Sequence, residues 1–176
     1  KMNWPLDSYL KGDHPIQVEI FRIISELLEI PVSEINAERD DCGAPTLYLK
    51  LLEMSKLYSL LSSSENAELE QISRAITTNP TMISDNNKFD TEIIKASHGQ
   101  VIGKSGAEGI QCLCKVNEGI GLALKVEDGS KRAKHAVSLH LLKQLEWISD
   151  LRIQDIEEKV FNFSDGVRIE VKGQLK

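Results

Sequence analysis

Residues 101–126 constrain the fold more than any other part of the sequence. Two segments, "GIQCLCKV" and "IGLALKVE", have the period-two pattern of strands, and Asn117-Glu118-Gly119 between them is typical of a tight turn. The alternation gives each segment one face: Ile110, Cys112, Cys114 and Val116 in the first, and Ile120, Leu122, Leu124 and Val126 in the second. The preceding "VIGKSG" has the composition of a third strand. We therefore expect an antiparallel sheet of consecutive strands.

Helical spacing precedes and follows this sheet, with apolar residues three or four positions apart. The first stripe is Ile16, Ile20, Ile23, Leu27 and Ile30, capped by Asp13, started by Pro15 and stopped by Pro31. The next stripes are Leu47, Leu51, Met54, Tyr58 and Leu61, then Leu69, Ile72 and Ile76 in a helix from about Glu65, then a short helix in "FDTEIIKAS". After the sheet, a helix starting near Ser130 has the inward stripe Ala133, Val137, Leu141, Leu145 and Ile148.

These patterns predict a single α+β domain over residues 1–176, an antiparallel sheet packed with helices. The helical part covers about 13–98, and the sheet with its C-terminal helix covers about 100–176. The tail, "KVFNFSDGVRIEVKG", predicts another hairpin around Ser164-Asp165-Gly166.

Charge and composition exclude several classes of protein. The net charge of −6 argues against a general nucleic-acid binder, which needs a basic face. The one basic cluster, "GSKRAKH" at 129–135, fits a solvated helix start, with Ser130 as a cap and Lys134 as a solvated charge. No apolar run is long enough to span a membrane. Three cysteines cannot all pair within the chain, which favours a reduced, cytoplasmic setting.

The first candidate site is Lys104 in "VIGKSGAEG", where small neighbours leave the backbone open. A lysine at a strand end beside glycine can orient a nucleophile or stabilise negative charge. The alternative is a glycine-rich turn with a solvated lysine. A Lys-Ser-Gly strand followed by two antiparallel strands and a helix resembles the order around the Lys-Thr-Gly motif of penicillin-recognising serine enzymes.

The second candidate is the pair Asp40 and Cys42 in "RDDCGAP". A thiolate and a carboxylate can bind zinc, but a free cysteine beside a capping aspartate explains the spacing equally. Cys112 and Cys114 lie on one strand face and suit packing, with a metal pair as the alternative. His135 and His140 are five apart, which is the wrong spacing for a helical ligand pair, and we expect no catalytic histidine.

Four segments in order resemble a bacterial L-asparaginase family of the third class, whose fold is similar to serine β-lactamases and glutaminases. They are "DDCGAPTLYLKL", "NPTMISDNNKFDTEIIKA", "VIGKSGAEGIQCL" and "GIGLALKVEDGSKRA", and "PLDSYLKGDHPIQ" near the start also fits. Together the four segments cover residues 40 to about 133, which resembles the C-terminal half of the family.

The resemblance implies hydrolysis of L-asparagine to L-aspartate and ammonia by a serine nucleophile that a lysine activates. Lys104 matches the family's lysine beside that Ser-Lys pair, and Ser105, Gly106, Ala107 and Glu108 match its pocket lining. Asp40 and Cys42 match an Asp-Gly-Cys-Gly loop whose cysteine is a zinc ligand, with further ligands upstream. Asp41 stands where that loop usually has glycine.

The resemblance also implies that the partner of Lys104 lies outside this chain. "SELLEIP" lacks a Ser-x-x-Lys, and Ser138 and Lys143 have the wrong spacing. We expect the chain alone to be inactive and, because the missing part would cover apolar surface, to form homo-oligomers such as a dimer. One alternative is a noncatalytic amino-acid-binding or regulatory module on the same fold. A penicillin-binding protein or β-lactamase is disfavoured by the Gly-Ala-Glu-Gly continuation.

Overall fold

A computed structural model of the chain describes residues 2–161 and 169–175. The helices are α1 Pro15–Leu28, α2 Leu51–Ser62, α3 Ala67–Thr78, α4 Phe89–Ala96, α5 Lys131–Gln144 and α6 Asp150–Val160. The strands are β1 Ala37–Arg39, β2 Pro45–Leu47, β3 Val101–Ser105, β4 Ile110–Lys115 and β5 Ile120–Lys125. This mixture confirms the α+β class. The hairpin predicted around Ser164-Asp165-Gly166 lies outside the described residues.

The chain divides into two compact units, Lys1–Glu53 and Met54–Lys176. The prediction of one domain over residues 1–176 stays a prediction. None of the described helices has the length and apolar character needed to cross a bilayer.

In the first unit, α1 begins after His14 and not after the predicted cap Asp13. The His14 ring accepts a hydrogen bond from the Ile16 amide at Nδ1 (3.1 Å), so its Nε2 carries the proton that bonds the Pro5 carbonyl at 2.9 Å. Both ring nitrogens are thus used structurally. Further along the unit, β1 and β2 form a short antiparallel hairpin in which Glu38 faces Thr46.

In the second unit, β3, β4 and β5 form the antiparallel sheet that the sequence predicted, in the order β3-β4-β5. The central strand β4 is covered on both faces, because Gln111, Cys112, Leu113 and Cys114 are all buried. Leu113 belongs to a core with residues of α4, α5 and α6. On β5, a Cβ added to Gly121 would lie 2.1 Å from the Ser55 carbonyl oxygen, so glycine lets the backbone of α2 approach the sheet.

Two helix predictions were wrong in detail. Helix α2 begins at Leu51, since Leu47 of the predicted stripe is part of β2. Helix α5 buries a different face from the predicted one: its fully buried positions are Lys134, His135, Ala136, Ser138, Leu139 and Leu142. The predicted inward stripe is only half-buried within the helix. The core therefore covers a face of α5 that carries three polar side chains.

Candidate active site

Lys104 lies near the end of β3 with its side chain exposed. Its ammonium donates a hydrogen bond to the carbonyl oxygen of Ser105 at 2.8 Å. Consecutive residues of a strand point to opposite faces, so Lys104 shares a face with its cross-strand partner Cys112, and Ser105 shares the other face with Gln111. The side chains of Lys104 and Ser105 therefore leave the strand on opposite faces.

Ser105 is held by a buried carboxylate from another element. Asp90, in the first turn of α4, is 3% exposed. Its Oδ2 accepts the Ser105 backbone N–H at 2.8 Å, and its Oδ1 accepts the Ser105 hydroxyl at 3.0 Å and the Gln111 amide nitrogen at 2.9 Å. The side chains of Asp90, Ser105 and Gln111, here called the Asp90 network, tie α4 to β3 and β4.

The Asp90 network has one more acceptor than the Ser105 hydroxyl can serve. The hydroxyl oxygen lies 3.0 Å from Asp90 Oδ1 and 2.9 Å from Gln111 Oε1, yet it has a single proton to donate. The hydroxyl can give this proton to Asp90 or to Gln111, and among the described residues neither partner is the activating lysine that the family resemblance implies. The geometry gives Ser105 a structural role in fixing the end of β3.

The four small or turn-forming residues after β3 make a tight loop back into β4. The Gly106 amide donates to the Ile110 carbonyl at 2.9 Å, and the Ile110 amide donates to the Ala107 carbonyl at 3.2 Å. Glu108 has a positive φ of 51° and Gly109 one of 75°. A Cβ on Gly109 would lie 2.8 Å from the Val126 carbonyl oxygen, so no other residue fits there.

Lys134 was predicted to be a solvated charge, and that prediction was wrong. Its side chain is 3% exposed, and its ammonium donates to the Gly106 carbonyl at 3.3 Å. Burial lowers the pKa of Lys134; the charges of Lys131 and Lys104 lower it further, while Asp90 opposes the shift. Lys134 therefore connects α5 to the loop after Lys104. Ser130, as predicted, caps α5 by accepting the Ala133 amide.

His135 follows Lys134 and is also buried, at 5% exposure. Its ring stacks on Phe89 with centroids 4.0 Å apart and planes within 9°. Burial, together with the charges of Lys134 and Lys131, lowers its pKa to about 4 against the opposing effect of Asp90. Its Nε2 has no hydrogen-bond partner in the part of the chain that the structure describes. A neutral imidazole with an unused nitrogen is thus held beside the Asp90 network.

A cavity of about 650 Å³, here called the basic pocket, opens beside these residues. Its lining includes Lys104, Ser105, His135, Asp90 and Phe89, together with Lys88, Lys131, Arg132 and Lys159. Lys104 and Ser105 are predicted site residues, and both line this pocket. Asp90 and His135 are not predictable from sequence spacing, because His135 has no histidine at a helical ligand spacing and Asp90 is 15 residues from Ser105.

The other sequence-predicted residues lie in the first unit. Asp40 Oδ1 accepts the amides of Cys42 at 2.9 Å and Ala44 at 3.1 Å, and its Oδ2 accepts the Thr46 hydroxyl at 3.0 Å. These bonds, with that of Ala44 the strongest, lower the pKa of Asp40. Asp40 thus shapes the β1–β2 loop. Asp41 fits there without strain, since the positive φ of 81° falls on Gly43.

The thiol of Cys42 is exposed. Among the described residues, no three His, Cys, Asp or Glu side chains gather as a metal-binding group. Zinc binding by Cys42 and Asp40 therefore stays a prediction. Cys112 and Cys114 are buried, and burial raises their pKa to about 11 and about 12, as expected for packing residues.

The sequence contains one Ser-x-x-Lys, Ser8-Tyr9-Leu10-Lys11, near its start. The structure places it in a turn, where the Lys11 amide donates to the Ser8 carbonyl at 2.9 Å. The Lys11 side chain is exposed, whereas a lysine that acts as a base is desolvated. This turn does not have the surroundings of an activated serine.

Comparison with known proteins places the whole sequence in one family. The family model described as L-asparaginase II matches residues 1–176. No curated protein matches the chain.

Proposed function

The chain belongs to the L-asparaginase II family, and on that premise we propose that the basic pocket is part of a site that hydrolyses the side-chain amide of L-asparagine. Membership gives the chain an asparaginase-related function. The observation that carries the site assignment is that Lys104 lines a pocket with other cations and a neutral histidine whose Nε2 has no hydrogen-bond partner among the described residues. Such a lining suits a substrate with a free carboxylate.

In this proposal Lys104 acts by charge. Attack of a serine on the amide carbonyl develops a negative oxygen, and a fixed cation nearby lowers the energy of that state. The Asp90 network fixes Ser105, and thereby the strand end on which Lys104 stands. Lys134 holds the following loop through the Gly106 carbonyl. Gly106, Ala107 and Glu108 would line the substrate side of that loop.

We place the nucleophilic serine and its activating lysine outside these 176 residues. Two observations support this: the Ser105 hydroxyl is committed to Asp90 and Gln111, and Ser8 lies in a turn with an exposed Lys11. The chain would then be the C-terminal half of an enzyme with a serine β-lactamase-like or glutaminase-like fold. It would be inactive alone.

Zinc has a separate place in this proposal. The exposed Cys42 thiol suits a zinc ligand, and Asp40 would hold the loop that presents it, since its oxygens already accept three hydrogen bonds from that loop. Further ligands would come from outside the described residues. A bound zinc ion would supply an electrophile for substrate oxygens.

A noncatalytic amino-acid-binding module is the second candidate. It is favoured by the contacts of Ser105, whose hydroxyl bonds Asp90 and Gln111, so that the described pocket has cations but no Ser-Lys pair.

Ammonia release from L-asparagine distinguishes the two. We expect turnover by the protein encoded by the whole gene and none by residues 1–176. In the whole protein, Lys104→Met should lower kcat by about 10²-fold or more, as loss of one charge-stabilising group does in other hydrolases. The control Lys172→Met, an exposed lysine paired with Glu170, should leave kcat unchanged.

Full kcat in the Lys104→Met protein would refute the role of Lys104. A whole protein that binds L-asparagine without releasing ammonia would favour the binding module.

A further inference from the structure

The basic pocket has an imbalance of charge that its own residues do not neutralise. Its lining carries five cationic side chains, Lys88, Lys104, Lys131, Arg132 and Lys159, and one carboxylate, Asp90. Asp90 is already occupied, because its two oxygens accept three hydrogen bonds from Ser105 and Gln111.

Among the described residues, one of the five cations is paired with a carboxylate. Lys159 bonds the carboxylate of Glu92 at 2.7 Å, and Glu92 also lies 3.6 Å from Lys95. Within residues 2–161 and 169–175, Lys88, Lys104, Lys131 and Arg132 have no carboxylate within salt-bridge distance. Four cations thus share one cavity without a counterion.

Two of these cations, Lys131 and Lys104, also act on a buried neighbour. Lys134 is 3% exposed, and the charges of Lys131 and Lys104 add to burial in lowering its pKa. A ligand with negative charge in the pocket would relieve this repulsion and would be held by several cations at once.

His135 adds a directional contact. Its ring lines the pocket, is 5% exposed, and has an Nε2 atom without a hydrogen-bond partner in the described chain. The groups that act on it are Lys134, Lys131 and Asp90. Nε2 is itself buried, so the neutral ring would donate a hydrogen bond to a ligand oxygen only after it turns toward the cavity.

We propose that the basic pocket binds a small dicarboxylate and, resting on the proposed function, that it holds the product L-aspartate more tightly than the substrate L-asparagine. The two molecules have nearly the same size and differ by one negative charge. That charge would lie among four unneutralised cations. Product release would then oppose turnover, and L-aspartate would compete with L-asparagine for the site.

Equilibrium titration tests the proposal on the 176-residue chain after circular dichroism has checked its fold. L-aspartate, L-asparagine, succinate and inorganic phosphate are added separately, and heteronuclear NMR follows the His135 ring. We expect L-aspartate to bind about tenfold or more tightly than L-asparagine, as one added charge near cations implies. We expect succinate to bind like L-aspartate and the His135 Nε2 signal to shift with both.

Matched variants locate the binding. Arg132→Met should weaken L-aspartate binding about fivefold or more, whereas Arg74→Met removes a guanidinium on α3, outside the pocket lining, and should change nothing. Lys131→Met should act like Arg132→Met.

Three results would overturn the proposal. Equal affinity for L-aspartate and L-asparagine would refute the preference for the product, and phosphate binding as tightly as succinate would refute the dicarboxylate class. Binding that ignores Arg132→Met and leaves the His135 signal unmoved would place the ligand elsewhere. Each result leaves the ammonia-release test of the proposed function independent, because that test measures turnover by the whole protein.

Discussion

Replacing Asp90 by alanine removes the carboxylate that three donors share. The Ser105 amide loses its partner at 2.8 Å, and the Gln111 side-chain nitrogen loses its partner at 2.9 Å, keeping only a contact with the Cys112 carbonyl at 3.3 Å. The Ser105 hydroxyl loses less, because it can give its proton to Gln111 Oε1 at 2.9 Å. The half-buried Ser105 amide thus loses its protein partner, and the buried Gln111 amide is left partly unsatisfied.

The size of the effect follows from those losses. A buried donor without a partner costs about 1–3 kcal/mol. With one donor fully orphaned and one partly so, we expect Asp90→Ala to lower the free energy of unfolding by about 2–4 kcal/mol.

Asp90→Asn is the matched control. Its amide oxygen can still accept the Ser105 backbone N–H, and its NH₂ group then replaces Oδ1. If the Gln111 amide turns over, its oxygen accepts from that NH₂ group, and the weak Cys112 contact is lost. The Ser105 hydroxyl then accepts from the two NH₂ groups, and its own proton loses both acceptors. We expect a loss of about 1–2 kcal/mol, because a weak bond and the bond donated by the half-exposed hydroxyl are lost and the bonds to a carboxylate become neutral ones.

Urea unfolding followed by circular dichroism measures both variants. The reasoning requires the order wild type, Asp90→Asn, Asp90→Ala in decreasing stability. An Asn variant as unstable as the Ala variant would show that the charge of Asp90, and not the bond count, matters. An Ala variant as stable as wild type would show that the hydrogen bonds of the Asp90 network do not stabilise the fold.

Three further predictions concern His135, Gly121 and Cys42. Between pH 4 and pH 6.5 the unfolded chain binds a proton on His135 that the folded chain does not. The neutral His135 ring therefore contributes about 2–3 kcal/mol to the free energy of unfolding above pH 6.5, and this contribution is lost as the pH falls through about 4. In urea unfolding at pH 7 and pH 4, His135→Phe should lose less stability between the two pH values than wild type, and an equal loss would contradict the lowered pKa. Gly121→Ala would place a Cβ 2.1 Å from the backbone of α2 and should destabilise the protein by about 2 kcal/mol or more in thermal melts. The control Gly12→Ala has open space around it and should be neutral or slightly stabilising. Equal melting points of the two variants would refute the close approach of α2 to Gly121. A thiol reagent at pH 8 should label Cys42 within minutes and the two β4 cysteines only after unfolding; fast labelling of all three would show that β4 is not buried.

The sheet could be predicted from the sequence because its signal is local. Three strands follow one another with two short connections, and the alternation from Ile110 to Val126 gave both strands of the hairpin. The family resemblance was confirmed over the whole chain. The zinc site, the cytoplasmic setting and self-association stay predictions.

The face of α5 could not be predicted in the same way. Two apolar stripes compete on this helix, and the one through Leu139 and Leu142 faces the core. Because Lys134 and His135 lie beside that stripe, they are buried with it. Hydrophobic periodicity ranks the stripes of a helix by apolar content and does not indicate which polar neighbours the core will also cover.

The Asp90 network could not be predicted from the sequence for a different reason. Its members are 15 and 21 residues from Asp90 along the chain, and each has an ordinary local explanation: Asp90 in a first helical turn, Ser105 at a strand end, Gln111 within a strand. The antiparallel register of β3 and β4 sets Ser105 opposite Gln111, and the packing of α4 against β3 brings Asp90 to both.

The Asp90 network also sets how relatives of this sequence can diverge. Each member satisfies the other two, so a change at one position leaves a donor or acceptor that only a second change can repair. Positions 90, 105 and 111 should therefore vary together across the family, as a linked set of alignment columns. A redesign of the pocket would have to choose the residues at these three positions together.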